Sequence, residues 1–358
     1  MNSNLLGRTP PSETDPRAEA TAQDVARAAG VSRIMVSRAF NPNASVKADK
    51  REHILKVAQR LGYHPDMAAR SMVTGRSNLV AVLVPSIARA WESQEVDALI
   101  TALQRQGMAT LLFHVAAEDL AEAAFLQVRA YKPAAVIAFL DLIGPEDLVP
   151  MFGNSPAIYP HFGAEPPKTQ PGQLVDRLHV NQHAGIRSAV KLLKGTGKRR
   201  VAYVAGADTG LPSRTENANS DHDRFAALQA ALVEHGMELE ARIEGEFDYE
   251  TSRQRVLHYV RNGGAADAFF AANDISAFGA LDALRHDLGL AVPEQYGVVG
   301  FDNIREASWR AYDLTTVGVS VEARVAALMR LVKARMADPS APARVETVTA
   351  SLIVRSSV

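Results

Sequence analysis

From residue 77 onward the chain repeats one rhythm, a short run that is apolar throughout followed by a stretch of helical length with one apolar face. The runs are 79–84, 109–115, 134–140, 201–205, 268–272 and 298–301. The amphipathic stretches are 92–106, 118–131, 183–194, 222–235, 250–262, 275–288 and 320–336. A strand that is apolar at every position is buried on both faces, and its alternation with helices argues a parallel sheet covered on each side. About 280 residues of this pattern exceed what one core holds, which predicts two α/β lobes. Ligands of such sheets bind beyond the carboxyl ends of the strands, so the gap between facing lobes is the expected site.

The first quarter of the chain reads differently. Residues 1–16 are rich in Pro, Ser and Thr without apolar period and are expected to be a disordered tail. Between Thr21 and Leu61 three short helices are expected. Val25, Ala28 and Ala29 line the first, with Thr21 as its N-cap. Gly30 breaks it, since glycine accepts the left-handed backbone of a tight turn. Ser32 caps the second helix, which carries Met35, Val36 and Ala39 and ends at Asn41-Pro42. Ile54, Val57, Ala58 and Leu61 line the third, with Ser45 as its expected cap because Lys47 stands at the start. Charge sets this module apart, although the whole chain has a net charge of only −1. Residues 17–76 carry eleven Lys and Arg against five Asp and Glu, and residues 77–358 carry 27 against 33. Attraction to phosphate is local, screened over about 10 Å at 0.1 M salt, so the basic module matters more than the total. The expected division is a helix-turn-helix domain at 17–62, a hinge at 63–76 and a body at 77–358. Within the body, lobe 1 would span approximately 77–180 and 318–345, and lobe 2 approximately 181–317 and 346–358.

The residues that make the helix, glycine turn and second helix run on into a longer ordered series. It comprises Asp24-Val-Ala, Ala29-Gly-Val-Ser32, Val36-Ser-Arg38, Asn41, Leu61-Gly-Tyr-x-Pro65 and Ala69-Arg-Ser-Met-x-Thr-Gly-Arg-Ser77. Further on come Arg199-Arg-Val-Ala-Tyr-Val-Ala-Gly206, Ala272-Asn-Asp-x-x-Ala-x-Gly279, Val299-Gly-Phe-Asp302 and Leu314-Thr-Thr-Val317. On these strings the chain resembles the lactose-repressor/galactose-repressor (LacI/GalR) family of bacterial transcription regulators, collinearly over residues 20–358. The resemblance implies an all-α helix-turn-helix domain joined to a two-lobed, periplasmic-binding-protein-like α/β body. The implied activity is sequence-specific regulation of transcription, most often repression, by a cytoplasmic homodimer on a pseudo-palindromic double-stranded operator. A tetramer, an activator role and a solute binder without DNA function stay open as alternatives. A small polar effector, of the sugar kind, would bind between the lobes, with no cofactor and no metal.

Residue by residue, the family pattern places Arg33, Ile34 and Arg38 toward the major groove, where Arg can bond guanine bidentately and Ile can touch a thymine methyl. Thr21, Ser32, Ser37, Asn41 and Tyr63 fall at DNA-contacting positions, with Ser32 and Ser37 setting the helix on phosphates. Ala69 and Met72 fall in the hinge, with Met72 where an apolar wedge enters the minor groove. Arg224, Asn273 and Asp302 match effector-anchoring positions. Trp91 and Phe247 would either stack on a sugar face or pack their lobes. His161 stands where a carboxylate is usual, and Val319 replaces a frequent Gln, so an acidic effector met by Arg89, His161 and Arg224 is left open.

Enzyme signatures are missing. Gly195-Thr-Gly-Lys198 lacks the P-loop's first glycine and final hydroxyl, because Leu192 and Arg199 stand there. His179 and His183 have i, i+4 spacing without a third ligand. Asp221-His-Asp223 reads as a polar helix start. With no cysteine at all, thiolate chemistry and disulfides are excluded.

Overall fold

The computed structural model describes residues 20–40, 44–65, 77–115, 118–140, 152, 155–169, 175–206 and 220–358. They form two compact units divided after Ser77.

The first unit is three helices, α1 (Ala22–Ala29), α2 (Arg33–Ala39) and α3 (Ala48–Arg60). Gly30 ends α1 with φ +65°, a left-handed cap that turns the chain into α2. Val25, Ala26, Val36, Ala39, Ile54, Val57 and Ala58 make the common core, with Ala29, Val31, Met35, Phe40 and Tyr63 packed at its edge. Two expectations fail at α3. Its N-cap is Lys47 with no side-chain cap bond. The entry is tied instead by Arg51, whose guanidinium donates to the carbonyls of Ala39 (2.9 Å) and Ala44 (2.7 Å). Leu61 lies past the last helical turn and is 39% exposed, off the apolar face.

The second unit holds two six-stranded sheets. The first is built from β1 (Leu79–Val84), β2 (Ala109–His114), β3 (Ala135–Ala138), β4 (Ala157–Phe162), β5 (Val175–Asn181) and β11 (Val345–Thr349), in the order β11-β5-β4-β3-β1-β2. Helices α4 (Ala90–Arg105) and α10 (Val321–Ala337) cover one face, where Leu99, Leu103, Leu328 and Val332 meet Val80, Val82 and Ile137. Helix α5 (Glu118–Tyr131) covers the other with Phe125 and Val128. The second sheet runs β12-β10-β9-β8-β6-β7, from β6 (Arg200–Ala205), β7 (Glu238–Glu244), β8 (Ala268–Ala271), β9 (Gly297–Phe301), β10 (Thr315–Gly318) and β12 (Ser351–Ile353). Helices α6 (His183–Gly195) and α7 (Ser220–Glu234) cover one face, and α8 (Tyr249–Arg261) and α9 (Asp274–Asp282) the other. All pairings are parallel except β10–β12, so the second sheet carries one antiparallel edge.

The chain crosses between lobes three times, after β5, after β10 and after β11. The last crossing departs from the expected boundary. Glu346–Thr349 pair in parallel with Leu178–Asn181, so residues 346–349 belong to lobe 1 and the chain leaves it at Ala350. Pro160 sits inside β4 without cost to pairing. β4 pairs with β3 only at Ala157 and Ile158, so on that side Pro160 has no ladder bond to lose.

Candidate functional site

In the first unit the candidate residues divide by what their side chains already do. Thr21 and Asp24 form a reciprocal capping box, with the Thr21 hydroxyl donating to the Asp24 carboxylate at 2.6 Å and accepting from the Asp24 amide at 3.3 Å. Those bonds hold the Asp24 carboxyl below its usual range. Ser32 caps α2 by accepting the Met35 amide at 3.3 Å, which leaves its own hydrogen able to donate. Arg33, Ile34, Ser37 and Arg38 are exposed on one side of α2, opposite the buried Val36 and Ala39. Ile34 is 68% exposed, a large apolar side chain with no core to fill. Tyr63 packs edge-on against Phe40, rings 5.6 Å apart, so it supports the fold rather than standing free. Asn41, Ala69, Met72 and the side chain of His161 lie outside the described residues.

In the second unit one cavity of about 130 Å³ lies between the lobes. Lobe 1 lines it from the start of α4 (Arg89, Trp91, Glu92), from the ends of β3 and β4 (Phe139, Phe162) and from Arg324 on α10. Lobe 2 contributes Arg224, Phe247, Asn273, Phe301 and Asp302, and Gln182 stands at the first crossing. Five of the six residues expected at an effector site thus line one cavity. For His161 the backbone lies in β4, next to the lining residues Pro160 and Phe162.

Arg224 is the most constrained of these groups. It lies on the Phe301 ring, 3.6 Å from guanidinium carbon to ring centre. Its Nε donates to Gln182 at 3.1 Å and its Nη1 to the Ala272 carbonyl, while Nη2 stands 4.0 Å from Asp302. Gln182 is fixed in turn by Asp223 (2.9 Å), which also takes His183 (3.0 Å) in the first turn of α7. Asn273 caps α9 by accepting the Ser276 amide at 2.8 Å, which turns its Oδ1 inward. Asp302 and Phe247 both hold positive φ, 104° and 55°, conformations that non-glycine residues adopt at a cost and that cluster at functional sites. Gly206 makes room for Phe247, because a Cβ there would run into its ring.

Burial dominates the electrostatics. It pushes the Asp302 carboxyl up to about 7 against the pull of Arg224, with Glu92 adding to the rise. Burial likewise raises Glu92, and Arg89 only partly offsets it at 3.2 Å. Asp302 can therefore exchange a proton near neutral pH and either donate to or accept from a ligand hydroxyl. The site combines such a carboxyl, an amide, guanidinium forks and aromatic faces, which suits a small hydroxylated molecule.

Sequence reasoning missed Gln182, Phe301 and Arg324. A signal for Arg324 was available. Positions 321, 325, 328 and 332 form the apolar stripe of α10, and both Arg324 and Arg335 fall on that stripe rather than on its wet side. An arginine on a core-facing stripe is buried and needs a partner.

A family model for bacterial regulatory proteins of the lacI family matches residues 21–66, and one for the periplasmic binding protein-like domain matches residues 190–358. The chain thus carries a lacI-type domain followed by a periplasmic binding protein-like domain. The HTH-type transcriptional regulator CelR of Thermobifida fusca is 28% identical over 349 residues, covering 95% of this chain and 99% of that protein. The HTH-type transcriptional repressor PurR of Mannheimia succiniciproducens is 25% identical over 344 residues, covering 95% and 98%. Among solved structures, the Lac repressor dimer bound to operator and an anti-inducer shares the fold, with TM-score 0.79, 22% identity and coverage of 95% and 99%. A complex of the regulator CelR with cellobiose aligns at TM-score 0.65 and 25% identity, over 95% of this chain and 100% of that one. The two-lobed body and the N-terminal helical domain are therefore those expected from the sequence. No helix among the described residues is long and apolar enough to cross a membrane.

Proposed function

We propose that the chain is a transcription repressor that holds a pseudo-palindromic operator as a homodimer and changes its grip when a small carbohydrate-like metabolite enters the interlobe cavity. It would act in the cytoplasm, where its DNA is, and no catalytic step enters the reading. The observation that carries it is the face of α2. Arg33, Ile34, Ser37 and Arg38 stand exposed together on a capped helix that follows a tight glycine turn. Two arginines can each fork onto a guanine edge, and the uncovered Ile34 suits a thymine methyl. Ser32 and Ser37 would set the helix on phosphates.

The cavity supports the second half of the reading. Arg224, Asn273 and Asp302 come from three separate elements and converge with Trp91 and Phe247 on one enclosed space. The relative crystallised with cellobiose, and another lacI-family regulator crystallised with ribose, support a sugar-like effector. A ligand shifts DNA affinity only through unequal affinity for two lobe arrangements, and residues on both lobes are what such a difference needs.

The test joins both sites. A duplex is selected from a random pool by the full-length protein, and its affinity is read by fluorescence anisotropy with and without a panel of sugars and sugar derivatives. A metabolite that changes operator affinity is expected, and Asp302→Ala is expected to abolish that change while a folded dimer persists. Selection of no preferred duplex would overturn the DNA reading. An undiminished response in Asp302→Ala would overturn the assignment of the cavity.

A further inference from the structure

Arg324 is a charged side chain in a place built for an apolar one. It projects from the core-facing stripe of α10, is only 3% exposed and lines the interlobe cavity. Its guanidinium lies over Trp91, 4.8 Å from the ring centre, and its Nε donates to the buried Glu95 at 2.8 Å. Its Nη2 is buried and has no hydrogen-bond partner among the described residues. A buried charged donor left unpaired is costly, and native proteins rarely keep one without use. Every other polar contact of this guanidinium is a positioning one. Glu95 fixes its angle, Trp91 fixes its plane, and neither Nη atom hydrogen-bonds to another described residue, while the side chain lines the cavity.

We propose that the effector is a hydroxylated monocarboxylic acid, of the aldonate or uronate kind, and that Arg324 receives its carboxylate. This rests on the reading of the cavity as an effector site. Charge separates an acid from a neutral sugar here. The cavity is lined by Arg89, Arg224 and Arg324, against Glu92 and Asp302 on its wall and Glu95 behind Arg324. Three arginines meet three carboxylates, and burial holds Asp302 at about 7, so near neutral pH its charge only partly offsets theirs. A neutral hydroxyl could accept from this guanidinium without correcting that imbalance. A carboxylate does both, through a charge-assisted bond.

A phosphate ester fits less well. Dianions favour helix N-termini with free amides. Of the helix starts at this cavity, α4, α9 and α10 carry acidic residues in their first turns, Glu92, Asp274 and Glu322, with Asn273 and Ser320 already capping the last two, and α6, entered through Gln182, carries none. The hydroxyls of the acid would fall to Asp302, Arg224 and Asn273 on lobe 2, so one ligand would span both lobes with its charged end on lobe 1.

Full-length protein is titrated calorimetrically with D-gluconate and D-glucuronate, and in parallel with D-glucose, D-sorbitol and D-glucose 6-phosphate. The acids are expected to bind and the neutral compounds to bind at least tenfold more weakly, in line with one charge-assisted bond. Arg324→Gln is expected to lower affinity for the acid roughly ten- to hundredfold and to remove the preference over the neutral sugar. Should the single variant unfold because Glu95 is stranded, Glu95→Gln/Arg324→Gln keeps the site neutral and gives the same reading. Neutral sugars binding as tightly as acids, tighter binding of the phosphate ester, or unchanged acid affinity in the folded variant would each overturn the proposal while leaving the cavity as effector site. Binding of none of the five compounds counts against both readings.

Discussion

Asp176 and Arg335 are both fully buried, and together they hold the helix that carries Arg324. Arg335 leaves α10 and meets Asp176 on β5 with two parallel bonds, Nε to Oδ2 and Nη2 to Oδ1, each 2.7 Å. Oδ1 also accepts the Arg344 amide at 2.6 Å, and Arg335 Nη1 donates to the Ala341 carbonyl, so the pair ties α10, β5 and the segment leading to β11. Asp176→Ala would strand a guanidinium with no water and no counter-charge. Breaking such a pair from one side costs about 3–5 kcal/mol. At about 2–4 °C per kcal/mol for a domain of this size, the melting temperature of the body falls by roughly 6–20 °C. The exposed pair Arg330–Glu346, nearly as short at 2.8 Å but with Arg330 57% exposed, provides the control. Glu346→Ala is worth no more than about 1 kcal/mol. Scanning fluorimetry of both variants and of Asp176→Ala/Arg335→Leu makes the comparison, and the double variant should recover most of the loss because it removes the stranded charge. Equal melting temperatures for Asp176→Ala and Glu346→Ala would refute the argument.

Much of this architecture was legible because burial and sequence pattern coincide. The runs 79–84, 201–205 and 268–272 are apolar at every position, and each is a strand inside a sheet. The strands that the pattern concealed are those where burial is bought by pairing rather than by apolar content. β5 carries Asp176, satisfied by Arg335 and the Arg344 amide some 160 residues away. β7 is an edge strand with three glutamates, of which Glu238 is exposed and the others half-buried, and β4 contains a proline that only the short pairing with β3 tolerates. The exit from lobe 1 was concealed for the same reason, since Glu346 and Thr347 read as surface until β11 is seen beside β5. At the site, residues next to strand ends were readable, and Arg224, Asn273 and Asp302 converge. Gln182 was not, because its role is to hold another side chain, and nothing local in the sequence announces that.

Three further predictions follow from the two sites. Arg33→Ala or Arg38→Ala should weaken binding to the selected operator by about 1–3 kcal/mol and to random duplex by much less, measured by anisotropy at fixed salt; equal losses on both duplexes would assign these residues to phosphate alone. Gly206→Ala should drive the Phe247 ring from its place at a cost of about 1–3 kcal/mol in stability and weaken effector binding, whereas unchanged calorimetric affinity would remove Phe247 from the site. The last concerns protons. In the folded chain Asp302 holds its proton up to about pH 7, against a usual value of 3.8, because burial outweighs the attraction of Arg224. Between these two values the folded state binds a proton that the unfolded state has released, so the stability contributed by this group falls as pH rises and levels off above about 7. From pH 5 to pH 7 the fall attributable to Asp302 is about 2 kcal/mol. Asp274, also raised well above the usual range by burial, slopes the same way, so the absolute profile mixes the two. The difference between wild type and Asp302→Asn separates them, since only the first titrates at this position. Denaturant unfolding at pH 5, 6 and 7 should show wild type losing stability relative to the variant step by step. A constant offset across that range would mean that Arg224 holds Asp302 ionised in the fold, and the proton-exchanging role given to it in the cavity would fall.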